Sequence, residues 1–227
     1  MLKNLIFLFI ITLLIQYGIF AQTNDFANWT GISIQKNITN RTSVELEEEL
    51  RLKNNCTQIN SFLSTISLNY KLTKCKDVSI AYRFSDKYKE EKYFSERHRL
   101  MFDYKYKYKI KPFVINYRTR IQSELQDYNS SDKGKIPDCI WRNKLEIKYN
   151  LKQYKPYATT ELFFQINDPR NMESNKSFNQ YRLSIGNEFK INNKHSFSIY
   201  IMLQKDINTQ NPQKTITFGL KYAINNI

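Results

Sequence analysis

Residues Met101 to Arg120 read MFDYKYKYKIKPFVINYRTR, and on both sides of Pro112 aromatic or aliphatic residues take turns with charged or polar ones. A period of two sends successive side chains to opposite faces of a β-strand. The stretch therefore reads as two strands around a short turn at Lys109–Pro112, where proline can sit outside the ladder. Phe102, Tyr104, Tyr106 and Tyr108 share one face and Asp103, Lys105 and Lys107 the other. After the turn, Phe113, Ile115, Tyr117 and Ile121 oppose Asn116, Arg118, Arg120, Gln122 and Glu124. The fold depends on which face is buried. A soluble sandwich turns its charges to solvent, whereas a membrane barrel turns its apolar face to lipid and its charges to the lumen.

The same alternation runs through the chain. Strands are expected at about 27–36, 41–52, 59–73, 78–87, 94–108, 113–125, 140–151, 156–167, 179–191, 195–206 and 214–224. Short connections fall at NITN, KCKD, KIKP, KQYK and NNK, and longer ones at about 53–58, 88–93, 126–139, 168–178 and 207–213. Tight turns at one end and longer loops at the other are a membrane-barrel trait. Greek-key sandwiches have no reason to alternate in this way. The expected fold is an all-β, antiparallel up-and-down transmembrane β-barrel. Eleven segments sit badly with the even strand number of bacterial single-chain barrels, so ten or twelve strands are expected. Glu, Leu, Lys and Arg in VELEEELRLK favour helix by propensity, but strict alternation makes this segment a strand.

At the N-terminus, Lys3, the run LIFLFIITLLI and a small residue at Ala21 read as a secretory signal over residues 1–21, leaving residues 22–227 as a single barrel domain. No later run approaches the roughly 18 apolar residues of a membrane helix. The expected location is the cell outer membrane. The formal net charge of +14 points to acidic partners or anionic lipid headgroups. Export, together with basic residues spread over many strands, argues against nucleic acid. Cys56, Cys75 and Cys139 are odd in number and lack metal-type spacing, so a disulfide framework cannot carry the fold.

The polar face gathers the candidate lumenal charges Glu45, Glu47, Glu49, Arg51, Arg83, Arg97, Arg99, Arg118, Arg120, Glu124, Arg142, Lys144, Glu146, Glu161, Arg182 and Glu188. In a narrow barrel such side chains fill the interior in pairs, and arginine's planar fork suits bidentate bonding to carboxylates. The same set could form a small basic pore or pocket for an anionic solute. Tyr70, Tyr106, Tyr108, Tyr149, Tyr157 and Tyr222 lie toward the short-turn ends and are expected to form an interfacial girdle. A lipid hydrolase needs a histidine base beside a nucleophile. His98 is on the apolar face with no serine two residues away, and His195 lies by a short turn, so no catalytic residue is assigned. There is no phosphate-cradling glycine loop and no zinc or calcium spacing, so neither cofactor nor metal is expected.

The final stretch TFGLKYAI, with Gly219, Tyr222 and Ile224, resembles the C-terminal signal by which outer-membrane barrels are recognised for assembly. The segments NWTGISIQKNITNRTSVELEEELRL, AYRF, ERHRLMFDYKY, INYRTRIQ, WRNKLEIKYNL, PYATTELFF and YRLSIGNEFKINNKHSFSIY resemble domain of unknown function 2490. That family is a predicted outer-membrane β-barrel of Gram-negative bacteria. The resemblance covers nearly all of residues 28–205 and implies a location and a fold, but no reaction. The expected protein is a monomer whose partners are outer-membrane lipids, the barrel assembly machinery and an anionic solute. Its role is structural or that of a narrow pore. The alternatives are a secreted soluble barrel or sandwich binding an acidic ligand, and a lipid-active enzyme.

Overall fold

The computed structural model describes residues 24–88, 93–126, 137–151, 153–167, 178–208 and 212–225; the expected signal at 1–21 lies outside the described residues. Eleven strands follow one another: β1 (Asn24–Asn37), β2 (Thr42–Lys53), β3 (Gln58–Lys71), β4 (Lys76–Tyr88), β5 (Phe94–Ile110), β6 (Phe113–Gln126), β7 (Asp138–Tyr149), β8 (Tyr154–Asn167), β9 (Phe178–Lys190), β10 (His195–Asp206) and β11 (Lys214–Asn225). The shortest have 12 residues, more than the nine to eleven with which a tilted strand crosses hydrocarbon. Each pairs with its sequence neighbour, and β1 pairs with β11 to close the barrel.

The expected even count is corrected here. Residues 27–36 belong to β1, inside the wall. Strands alternate in direction around the ring, so with eleven of them one neighbouring pair must run the same way. That pair is β1–β11, parallel from Asn24↔Lys214 to Gln35↔Asn225. All other pairs are antiparallel, with β-bulges in β2–β3, β7–β8 and β8–β9.

Side-chain chemistry explains three of the short turns. The segments ITNRT, LTKCK and INNKH each place a Thr or Asn second. Thr39 Oγ1 accepts the N–H groups of Arg41 and Thr42, Thr73 Oγ1 those of Cys75 and Lys76, and Asn192 Oδ1 those of Lys194 and His195. A side-chain oxygen thus satisfies the backbone donors that the reversal frees. Around Pro112 the turn is reduced to Lys111 and Pro112, since Ile110 already pairs with Phe113. The connection expected to be long at 53–58 is also tight: Asn54, Asn55 and Cys56 all take positive φ, a conformation to which asparagine is well suited. Loop length at that end therefore begins with a four-residue reversal.

The barrel is apolar outside and polar inside. Ile185 and Leu100, on the outer face, are 67% and 59% exposed, while Met101 and Asp103, on the same strand as Leu100 but turned inward, are each 2% exposed. Of the expected girdle, Tyr70, Tyr106, Tyr108 and Tyr149 are exposed on the outer face. Tyr157 is corrected: it lines the lumen with Thr159 and Glu161, whose odd-numbered positions on β8 it shares.

Candidate lumenal site

Cross-strand register builds the inner network. Asp103 and Arg120 are directly opposed on β5 and β6, so the guanidinium meets the carboxylate in a fork, Nε to Oδ1 at 2.6 Å and Nη2 to Oδ2 at 2.7 Å. Arg99 and Glu124 are opposed four residues further along; Glu124 takes Arg99 Nε at 2.6 Å and Arg97 Nη1 at 3.0 Å. Glu161 of β8 is the most heavily engaged acid. It faces Arg118 at 2.5 Å, Arg142 at 2.9 Å and Arg182 at 3.9 Å. One carboxylate thus serves three guanidinium groups.

Toward the short-turn end the cations become lysines. Glu188 binds Lys148 at 2.8 Å and Lys155 at 2.6 Å, and Glu146 binds Lys148 at 3.4 Å and the Asn116 amide at 2.8 Å. Lys144 lies 4.0 Å from Glu146. On the acidic strand β2, Glu49 holds Arg51 at 2.5 Å. Glu47 is reached by Arg83 at 3.9 Å and by Lys221 at 2.5 Å. Lys221 comes from β11, two strands away, across a place in β1 where Gly31 has no side chain. Glu45 lies on the same inward face of β2.

The sixteen residues picked by alternation all fall on this inner face. Their polarity alone does not identify their partners Asp103, Lys148, Lys155 and Lys221, although alternation places these four on the inner face as well. The opening hairpin shows the difference: Lys105 meets Asn69 at 3.1 Å, and Arg118 and Arg120 take Glu161 and Asp103.

The network leaves space. A cavity of about 550 Å³ is lined by ten basic and four acidic side chains, an excess of six positive charges, together with Trp29, Tyr157, Phe163 and Tyr200. A second cavity of about 270 Å³ adjoins it toward the short turns, with Arg118, Lys144 and Glu146 lining both.

Sequence reasoning gave Trp29, Phe163 and Tyr200 no role and put Tyr157 in the outer girdle, yet the register of Tyr157, Tyr200 and Trp29 is regular. Tyr157 of β8 pairs with Gly186 of β9, Gly186 with Tyr200 of β10, Tyr200 with Gly219 of β11, and Gly219 with Trp29 of β1. The rings lie over the glycines. A Cβ at Gly219 would stand 1.9 Å from Tyr200 Cζ, and one at Gly186 would stand 2.7 Å from Tyr157 Cζ. Cations close both ends of the row: Lys148 Nζ lies 5.4 Å from the Tyr157 ring centre, and Arg51 Cζ lies 3.6 Å from that of Trp29. Phe163, beside the row, carries Arg142 and Arg182 at 4.5 and 4.6 Å.

The histidines lie elsewhere. His98 is on the outer face with Tyr82 Oη 2.7 Å from Nδ1, and His195 Nδ1 is 2.8 Å from Tyr222 Oη. Of the C-terminal pattern, Tyr222 and Ile224 face outward and Gly219 inward. Cys56, Cys75 and Cys139 are free thiols.

A closed wall, apolar without and charged within, defines an up-and-down β-barrel of the transmembrane kind. The chain belongs to the family described as "Protein of unknown function (DUF2490)", whose model matches residues 26–215. No curated protein matches it in sequence. Among solved structures it is similar to a bacterial polysaccharide outer membrane secretin, at 7% identity and a TM-score of 0.54, over 80% of this chain and 64% of that one. The chain therefore spans a little under two thirds of that protein's length. It is also similar to the NanC porin, at 12% identity and a TM-score of 0.49, over 79% and 86% of the two chains. OccK8 (OprE) of Pseudomonas aeruginosa follows at 11% identity and a TM-score of 0.37, over 78% and 57%. At these identities the likeness is one of fold.

Proposed function

We propose that the protein is an outer-membrane barrel whose lumen is a narrow passage for small anions. The observation that carries this reading is the pair of adjoining cavities inside an apolar wall, the larger with six more basic than acidic side chains around it. Water-filled space walled by low dielectric focuses the field of those charges, drawing anions in and holding cations out. The exposed apolar outer face supports placement in a bilayer, as does the likeness in fold to the secretin. A sixteen-strand porin is wide enough for an open aqueous channel and an eight-strand barrel is filled by its side chains. Eleven strands with paired interior charges fall between, which favours a passage that filters by charge.

Planar-bilayer recording under a salt gradient tests the reading. The expected result is a small conductance whose reversal potential lies on the anion side. A correctly folded barrel that is silent, or one that prefers cations, overturns it. Cell fractionation with a gel comparing boiled and unboiled samples checks the location. Recovery from the soluble periplasm with no mobility shift would remove the membrane reading altogether.

A further inference from the structure

We infer that the Tyr157–Gly186–Tyr200–Gly219–Trp29 row is a stacking surface for the sugar rings of an acidic carbohydrate chain; this rests on the anion-passage reading and names its solute class. An inorganic anion needs cations and water but no aromatic rings. Here three aromatic side chains stand in one register across five strands, with a glycine at each intervening place. The glycines let the Tyr157 and Tyr200 rings lie down on the wall rather than project into the passage, leaving the opposite ring faces toward the cavity both line. Such faces accept the C–H side of a pyranose, which is apolar, while its hydroxyls stay in water.

Spacing and charge agree with this. Aromatic positions in the row are two strands apart, about 10 Å at the usual strand separation, close to the distance between alternate rings of an extended sugar chain. Around the same cavity Glu161 is shared by Arg118, Arg142 and Arg182, so guanidinium N–H donors outnumber the acceptor positions of that one carboxylate. Planar forks of this kind bind carboxylates in a bidentate way. Lys148 and Arg51 stand at the two ends of the row, so a chain lying along it meets a cation wherever it enters or leaves. The Tyr157 and Tyr200 rings, with guanidinium groups around the same cavity, match a chain of uronic acids better than a neutral glycan or a simple anion.

The two tryptophans make the test direct. Trp141 is on the outer face with its Nε1 on Thr119, so in Trp141→Phe protein all tryptophan emission comes from Trp29 at the end of the row. Detergent-solubilised protein is titrated with trigalacturonate, with tricarballylate as an acyclic tricarboxylate, with maltotriose as a neutral trisaccharide, and with a trinucleotide. The expected result is a saturable emission change with trigalacturonate at a concentration at least about tenfold below that for each of the others, the margin that one stacked ring supplies. Tyr157→Leu with Tyr200→Leu should abolish that margin and leave the weak tricarballylate response in place. Tyr157→Phe with Tyr200→Phe keeps the rings and should keep the margin. Equal response to trigalacturonate and tricarballylate shows that only charge is read and overturns the inference. Equal response to maltotriose removes the acidic requirement, and a tighter trinucleotide assigns the row to nucleobases; either also overturns it. Because this readout needs no ion flow, its failure is distinguishable from a silent bilayer.

Discussion

Two arcs of the lumen wall solve the same packing problem by different means. Along β5 to β8 the interior is filled by ion pairs, with Asp103 and Arg120 in a fork and Glu161 among arginines. From β8 around to β1 rings laid on glycines take up part of that space beside the charged side chains. The ionic arc depends on what stands opposite each side chain. The aromatic arc depends on nothing standing there. A charge inside a wall is costly without a partner, whereas a ring needs only a vacant neighbouring position and van der Waals contact. The first arc therefore presents donors to whatever enters, and the second adds apolar ring faces among the charges of Arg182, Glu188 and Lys221.

The contrast can be broken most severely at Glu161. Glu161→Gln leaves Arg118, Arg142 and Arg182 around a neutral amide. Removal of one partner from a buried ionic cluster costs about 3–5 kcal/mol. The urea midpoint of the folded, unboiled gel band should fall accordingly, and an unchanged midpoint would mean that water in the lumen already screens these charges. Next comes the difference between inside and outside. Ile185→Arg puts a guanidinium on the apolar outer face at mid-strand, with an expected loss of about 2–4 kcal/mol if that face meets lipid. A loss under about 0.5 kcal/mol, the ordinary surface value, would indicate water outside the barrel. The smallest effect is expected at Gly219→Ala, where the new methyl group meets the Tyr200 ring and overpacking costs about 1–3 kcal/mol. Combining it with Tyr200→Ser should recover most of that cost in a double-mutant cycle. Simple addition of the two losses would show that ring and glycine do not act as one unit.

The two arcs were not equally legible. Alternation in MFDYKYKYKIKPFVINYRTR and its counterparts marks every strand and sends each arginine and glutamate inward, because charge and side-chain parity carry the same message. Pairing is less visible: Arg118 finds Glu161, two strands away, through a register set by turn lengths and bulges. The aromatic arc was misread because its residues have more familiar meanings. Tyr157 passes for a girdle tyrosine, although it shares the odd-numbered face of Thr159 and Glu161. Gly219 passes for part of a terminal signal, and only the β10–β11 register reveals Tyr200 above it. Parity misled in strand counting too, since evenness assumes a closing pair that is antiparallel.

An odd ring of alternating arrows cannot be satisfied everywhere, and the mismatch must settle at one place. Here it settles between β1 and β11, where strands about 190 residues apart in sequence lie side by side. That junction is a unique address on an otherwise repetitive cylinder. The row of rings crosses it, with Tyr200 and Gly219 on one side and Trp29 on the other. An open, unrolled sheet would carry both fragments at its far edges, some ten strands apart and unable to serve one solute. The surface proposed for sugars is thus complete only where β1 and β11 are paired, and whatever binds along its full length recognises a closed barrel.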